Sequence, residues 1–196
     1  ATSRIILHRK VAKPFLNQFL SLVERVRIGY PLEPDVLMGP LISHDAVAKL
    51  QKYVKLAEEE GFETLRQGKA PGLWGKRRGY YATPSVHLCE RPENNHSAHY
   101  RKEEIFGPNV AVYLVKDESQ AVAINNEVPY GLITSVFTRN PARFRRLFPK
   151  IDTGMAVSAM IGSFFHLGTR RMARMASYPS ISGIMMSIRT ASTALS

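Results

Sequence analysis

The chain has 196 residues, enough to bury one substantial core in one domain or two, with 44% hydrophobic and 22% charged residues, ordinary values for a globular protein. No run approaches the ~18 apolar residues of a membrane span, and no secretory leader pattern precedes Arg4, so no membrane partner is expected. The formal net charge is +11, but nine Lys/Arg against one acid, Asp152, lie from Arg139 onward, so +8 of it sits there. That excess shows neither zinc-ligand spacing nor aromatic–basic interleaving, and no nucleic-acid partner is expected; a basic nucleic-acid-binding module is the least favoured reading. The single cysteine, Cys89, excludes an internal disulfide and fits a reducing, cytoplasmic compartment.

In chain order, Ala1 in place of an initiator Met predicts a cut through a longer protein. Ser3-Arg4-Ile5-Ile6-Leu7 reads as a short strand, followed by a helix with Phe15, Phe19, Leu22 and Val26 on one face. Pro14 fits that helix's first turn, and Gly29 with Pro31 closes it. Ser43 is the expected N-cap of a second helix, with Asp45 in its first turn, a Val47/Leu50/Val54 stripe and Gly61 as its stop.

Residues 67–79 form an exposed Gly/Lys/Arg-rich connection containing Trp74. The segment Tyr80-Tyr81-Ala82-Thr83-Pro84-Ser85-Val86 reads as an edge strand or strand end, because proline cannot donate to a ladder. His96 and His99 have the i, i+3 spacing of a helical metal pair, but Pro92 and two asparagines favour a solvated loop between residues 90 and 100.

Arg101-Lys102-Glu103-Glu104-Ile105-Phe106-Gly107-Pro108 places two acids, an aromatic and a Gly-Pro turn before the apolar run Asn109-Val110-Ala111-Val112-Tyr113-Leu114-Val115. The run reads as a buried strand, which puts Glu104 and Phe106 at its mouth. By residue type alone these are a solvated acid and a core phenylalanine, or a carboxylate and a ring able to reach a ligand. Asp117 or Ser119 then starts a short helix with Ala121 and Ile124, Ile133-Thr134-Ser135-Val136-Phe137-Thr138 is a strand, Pro141 opens a helix with Phe144, Leu147 and Phe148, and a last strand covers residues 153–157. Strands alternating with amphipathic helices predict an α/β fold, a mostly parallel sheet flanked by helices.

Five motifs in order carry a resemblance: Thr2-Ser3-Arg4, Met38-Gly39-Pro40-Leu41-Ile42-Ser43, Gly79-Tyr80-Tyr81-Ala82-Thr83-Pro84, Glu103-Glu104-Ile105-Phe106-Gly107-Pro108 and Pro129-Tyr130-Gly131-Leu132. Together they resemble the catalytic domain of the aldehyde dehydrogenase family, which oxidises aldehydes to carboxylic acids with NAD or NADP through a cysteine thiohemiacetal. The resemblance implies that Glu104 accepts hydrogen bonds from the nicotinamide ribose hydroxyls and that Phe106 packs beside that ribose. It also implies that Lys49 reaches the adenosine ribose; by residue type alone Lys49 is equally a solvated helix-face lysine. It further implies a homo-oligomer, an aldehyde substrate and a semialdehyde-oxidising subtype of amino-acid catabolism, of the succinylglutamate-semialdehyde or pyrroline-5-carboxylate kind.

The family's nucleophilic cysteine would fall just before Ala1, and its glycine-rich dinucleotide half would also lie upstream; no G-x-G-x-x-G occurs in this chain. Cys89 reads as structural, so no catalytic residue is assigned here and the isolated chain is expected to be inactive, a non-catalytic remnant or interaction fragment. The division expected is residues 1–160 as a catalytic-domain fragment and residues 161–196 as an aberrant basic tail. Plausible codons for residues 165–176 in another frame spell L-P-F-G-x-K-K-x-G-K-N-G, close to a family motif, which predicts a frameshifted tail; a nucleotide sequence that no single shift restores to that motif removes the idea.

Overall fold

A computed structural model describes residues 2–71, 73–94, 98–160 and 184–188. The proposed tail, apart from the backbone of 184–188, and His96 of the expected metal pair lie outside the described residues. The fold is α/β, a mostly parallel sheet flanked by helices. The chain divides into two compact units, residues 1–13 with 113–196, and residues 14–112.

In the first unit, β1 (Arg4–His8) is followed directly by the start of α1 (Arg9–Glu24), and the end of β6 (Asn109–Val115) leads to α4 (Glu118–Asn126), β7 (Ile133–Thr138), α5 (Pro141–Leu147), β8 (Met155–Met160) and β9 (Ile184–Ile188). The strand order is β1-β9-β7-β8. Strand β9 opposes both β1 and β7, while β8 runs parallel to β7, so β1, β7 and β8 share one direction. Asp117 rather than Ser119 caps α4, its Oδ1 accepting from the Gln120 amide at 2.8 Å. Asn140 does the same for α5, accepting from Ala142 and Arg143, with Pro141 at the start where a missing amide costs nothing. Buried Thr134 donates to Asn125 Oδ1 at 3.0 Å, which ties β7 to the end of α4.

Helix α1 departs from the sequence expectation at both ends. It begins at Arg9 because the Lys10 amide finds a cap in His8 Nδ1 at 3.2 Å, so Pro14 stands inside the helix instead of in its first turn. There the missing N–H leaves the Lys10 carbonyl without its helical donor. The helix stops at Glu24, five residues before Gly29, because the backbone that follows pairs elsewhere: Leu37 donates to Arg27 and Gly29 to Met38. The inward stripe accordingly falls on Val11, Phe15 and Val23, and Leu22, expected inside, is 46% exposed.

In the second unit, α2 (His44–Glu59) has Ser43 as its N-cap, with Oγ accepting from Ala46 at 3.1 Å, and buries Leu50, Val54 and Ala57. Gly61, at φ +80°, closes it: its amide donates to Glu58 and the Phe62 amide to Ala57, the 5→2 and 6→1 bonds of a Schellman end. β2 (Glu63–Arg66) pairs antiparallel with β5 (Ser85–Cys89), and the order is β2-β5-β6. The segment around Pro84 therefore leads into an interior strand: β5 starts one residue after the proline and is buried throughout. Between them β3 (Leu73–Trp74) and β4 (Arg77–Arg78) form a small ribbon within the expected connection. The stretch read as a solvated loop includes a turn over Pro92–Asn94 and α3 (His99–Lys102), and it buries Ala98 and Tyr100.

Candidate functional site: the turn ahead of β6

The turn 103–108 is built from the second unit's own elements. Glu60, just past α2, receives the His99 amide at Oε1 (2.7 Å) and the Tyr100 amide at Oε2 (2.9 Å), so its carboxylate caps α3. Tyr100 donates its hydroxyl to Asn109 Oδ1 at 2.8 Å, and Asn109 Nδ2 donates to Ser85 Oγ at 2.8 Å, all three side chains being buried. Ser85 N donates to the Pro108 carbonyl at 2.9 Å. Both ends of the turn are thereby fixed, one to α2 and one to β5.

Within the turn the side chains divide. Ile105 packs against the Leu50/Val54/Ala82 cluster, and Gly107 lies so close to α2 that a Cβ there would meet Leu50 Cδ1 at 3.2 Å. Phe106 faces solvent with 59% of its surface, and Glu104 is half-buried at the strand mouth. A ring of that size left open beside a half-buried carboxylate suits the face and the hydroxyls of a ribose: the carboxylate accepts from a diol and the ring covers the sugar. The residues present thus fit the ribose part of a nicotinamide dinucleotide.

Lys49, Glu104 and Phe106, the three sequence-expected cofactor residues, come together at this turn. Lys49 Nζ donates to the Glu104 backbone carbonyl at 2.9 Å and approaches Glu103 Oε1 at 3.4 Å. It also lies 5.7 Å from the centre of the Tyr53 ring, one helical turn along. The Tyr53 hydroxyl is pushed above its ordinary pKa, first by burial, then by the charge and hydrogen bond of Glu103.

Sequence reasoning missed three parts of this arrangement. Arg101, to which no role was given from the sequence, is 1% exposed and donates Nη1 to the Pro92 carbonyl at 2.7 Å. Glu60 gave no local sign of capping a helix some forty residues later. Asn109 did carry a signal, a lone amide opening an otherwise apolar strand.

The other chemistry-bearing groups are not part of the turn itself. Cys89 is outside any disulfide and buried, 4% exposed, at the end of β5. Among the described residues no three His, Cys, Asp or Glu side chains gather as a metal site, and no helix is long and apolar enough to cross a membrane. In the first unit Pro129, Tyr130 and Gly131 line an open cleft of about 300 Å³ with residues 126–128 and 152–154.

Comparison with known proteins decides the family. The profile of the aldehyde dehydrogenase family matches residues 1–160. The chain belongs to the aldehyde dehydrogenase family. It is 32% identical over 155 residues to a betaine aldehyde dehydrogenase of Hordeum vulgare, covering 79% of this chain and 30% of that one. A crystal structure of a putative aldehyde dehydrogenase from Burkholderia cenocepacia superposes with a TM-score of 0.72 at 32% identity, covering 85% of this chain and 32% of that one. A betaine aldehyde dehydrogenase variant from Staphylococcus aureus, solved with NAD+, gives 0.71 at 27% identity, covering 84% and 32%. The chain thus spans about a third of the length of the relatives it matches. The solved aldehyde dehydrogenases share its α/β architecture.

Proposed function

We propose that this chain supplies the cofactor-ribose contacts of an NAD(P)-dependent aldehyde dehydrogenase that oxidises an aldehyde to a carboxylic acid. One observation carries the reading: Ile105 is anchored in the core between a half-buried Glu104 and a 59% exposed Phe106, at the mouth of β6. Glu104 accepts from the nicotinamide ribose hydroxyls, Phe106 covers the sugar, and Lys49 contributes a cation at the rim. When bound, the nicotinamide supplies the hydride acceptor; these side chains hold and orient its ribose.

The thiolate nucleophile and general base belong, in this proposal, to a part of the protein outside this chain, since Cys89 is buried on β5. That burial also supports the second reading, a chain without turnover of its own. An assay with short aldehydes and NAD+ separates them: NADH formation lost on Cys89→Ala would sink the assignment of Cys89 as structural. Residues 161–196 stay proposed as an aberrant, frameshifted basic tail, of which residues 184–188 form β9. The succinylglutamate-semialdehyde or pyrroline-5-carboxylate subtype draws no support from relatives named for betaine aldehyde, and the substrate is kept at an aldehyde. The same reading makes the protein a cytoplasmic homo-oligomer; a monomer by sedimentation, or export on cell fractionation, counts against it.

Nicotinamide mononucleotide, which carries the relevant ribose, is the probe for the site. Titrated into the chain and followed by amide NMR, it should shift residues 104–107. Glu104→Gln should weaken binding about tenfold or more, the worth of a hydrogen bond to a charged acceptor. No shift at these amides, or equal binding by Glu104→Gln, defeats the assignment.

A further inference from the structure

We propose that Lys49 is a positioning residue, a latch that holds the Glu104–Ile105 peptide and thereby the turn that carries Glu104 and Phe106. The inference rests on the cofactor reading of the turn but assigns Lys49 a different part in it. Its amine is spent on the loop's backbone: Nζ donates to the Glu104 carbonyl at 2.9 Å, between residues 55 apart in the chain.

Two consecutive residues of α2 grip the turn in complementary ways. Leu50 points inward and takes the apolar part of the turn, with Ile105 packed against its cluster and Gly107 close to its methyls. Lys49, roughly 100° around the helix from Leu50, lies at the rim and takes the polar part, the carbonyl of the peptide that joins Glu104 to Ile105. With the Ile105 side chain in the core and the peptide oxygen bonded, that peptide plane is fixed on both sides. The held peptide leaves Phe106 exposed and Glu104 half-buried at the mouth of β6.

The amine is itself held in place. Glu103 Oε1 lies 3.4 Å from it, and the Tyr53 ring stands one turn further along α2. Glu103, which the sequence offered as a second acid of unknown use, is thereby the counter-ion of the latch. The latch pair is about half exposed, with side-chain accessibilities of 43% and 44%, so its contribution falls with added salt.

Hydrogen exchange of the chain without ligand tests this directly. Lys49→Met should speed exchange at the Glu103 and Asn109 amides, which donate to the His99 and Gly107 carbonyls at the two ends of the turn, about tenfold, the loss of one charge-assisted bond. Lys49→Arg, which keeps a donor, should remain within about twofold of the parent, and Lys52→Met, a neighbouring lysine on the same helix, should change nothing at these amides. If Lys49→Met exchanges like the parent, the latch does not exist, whatever happens to nucleotide binding. If Lys49→Arg exchanges as fast as Lys49→Met, a donor at this position does not hold the turn and the proposal fails too. The cofactor reading is judged separately by the Glu104→Gln titration, so either idea can fall alone.

Discussion

His87 should make this chain lose stability on mild acidification. It lies in the middle of β5, fully buried, with its ring edge-on to Tyr100 at 5.5 Å. The Thr64 hydroxyl gives its one proton to Glu58 Oε1 at 3.0 Å, so it accepts from His87 Nδ1 at 3.2 Å and the tautomer follows from the network. Nε2 then carries a bare lone pair, and no partner for it is found among the described residues. A proton added there would create a buried charge with no acceptor. Burial accordingly lowers the His87 pKa to about 4, against an opposing pull from the Glu58 carboxylate.

The unfolded chain takes up this proton near the ordinary value of about 6.5, the folded chain only near 4, so between those values the unfolded state binds more protons. Stability is therefore complete above about pH 6.5 and declines as pH falls towards 4. Each pH unit between the two values weakens the fold by up to about 1.36 kcal/mol, so the loss is about 1.4 kcal/mol at about pH 5.5 and about 3 kcal/mol at about pH 4. Urea unfolding of the chain and of His87→Gln at about pH 7.5 and 5.5 reads the difference, with the variant expected to lose about 1.3 kcal/mol less over that interval. Equal losses for the two proteins, or a His87 ring that titrates near 6.5 by NMR, would refute the reasoning.

Two further changes test the scaffold beneath the turn. Asn109→Ala removes the acceptor of the Tyr100 hydroxyl and the donor to Ser85 in one step, all three groups being buried, and should cost about 3 kcal/mol in urea unfolding. Gly61→Ala meets nothing within 4 Å, so its cost is purely that of φ +80° in a residue with a Cβ, about 1–2 kcal/mol, and Gly61→Asn should cost less.

Much of the fold was legible because its signals are local. Ser43 and Asp117 cap helices through bonds to amides three residues away, and Gly61 ends α2 through its own backbone conformation. The Glu-Glu-Ile-Phe-Gly-Pro turn ahead of an apolar run identified both β6 and the candidate site. Helix α1 was misjudged where distant backbone intervened: the pairing of residues 27–29 with 37–38 ended it early and turned Leu22 outward.

For the candidate site the division has the same cause. The sequence by itself determined which residues are proposed to hold the cofactor ribose, Glu104, Phe106 and Lys49, and the order of motifs that points to the aldehyde dehydrogenase family. Only the tertiary structure decided what Lys49 holds, since the carbonyl it bonds lies 55 residues further along the chain. It also decided that Arg101 is a buried strut, and that Glu60 caps a helix some forty residues away. A hydrogen bond across such separations depends on which carbonyl, amide or carboxylate the packed chain leaves within 3 Å, and no spacing of residues encodes that.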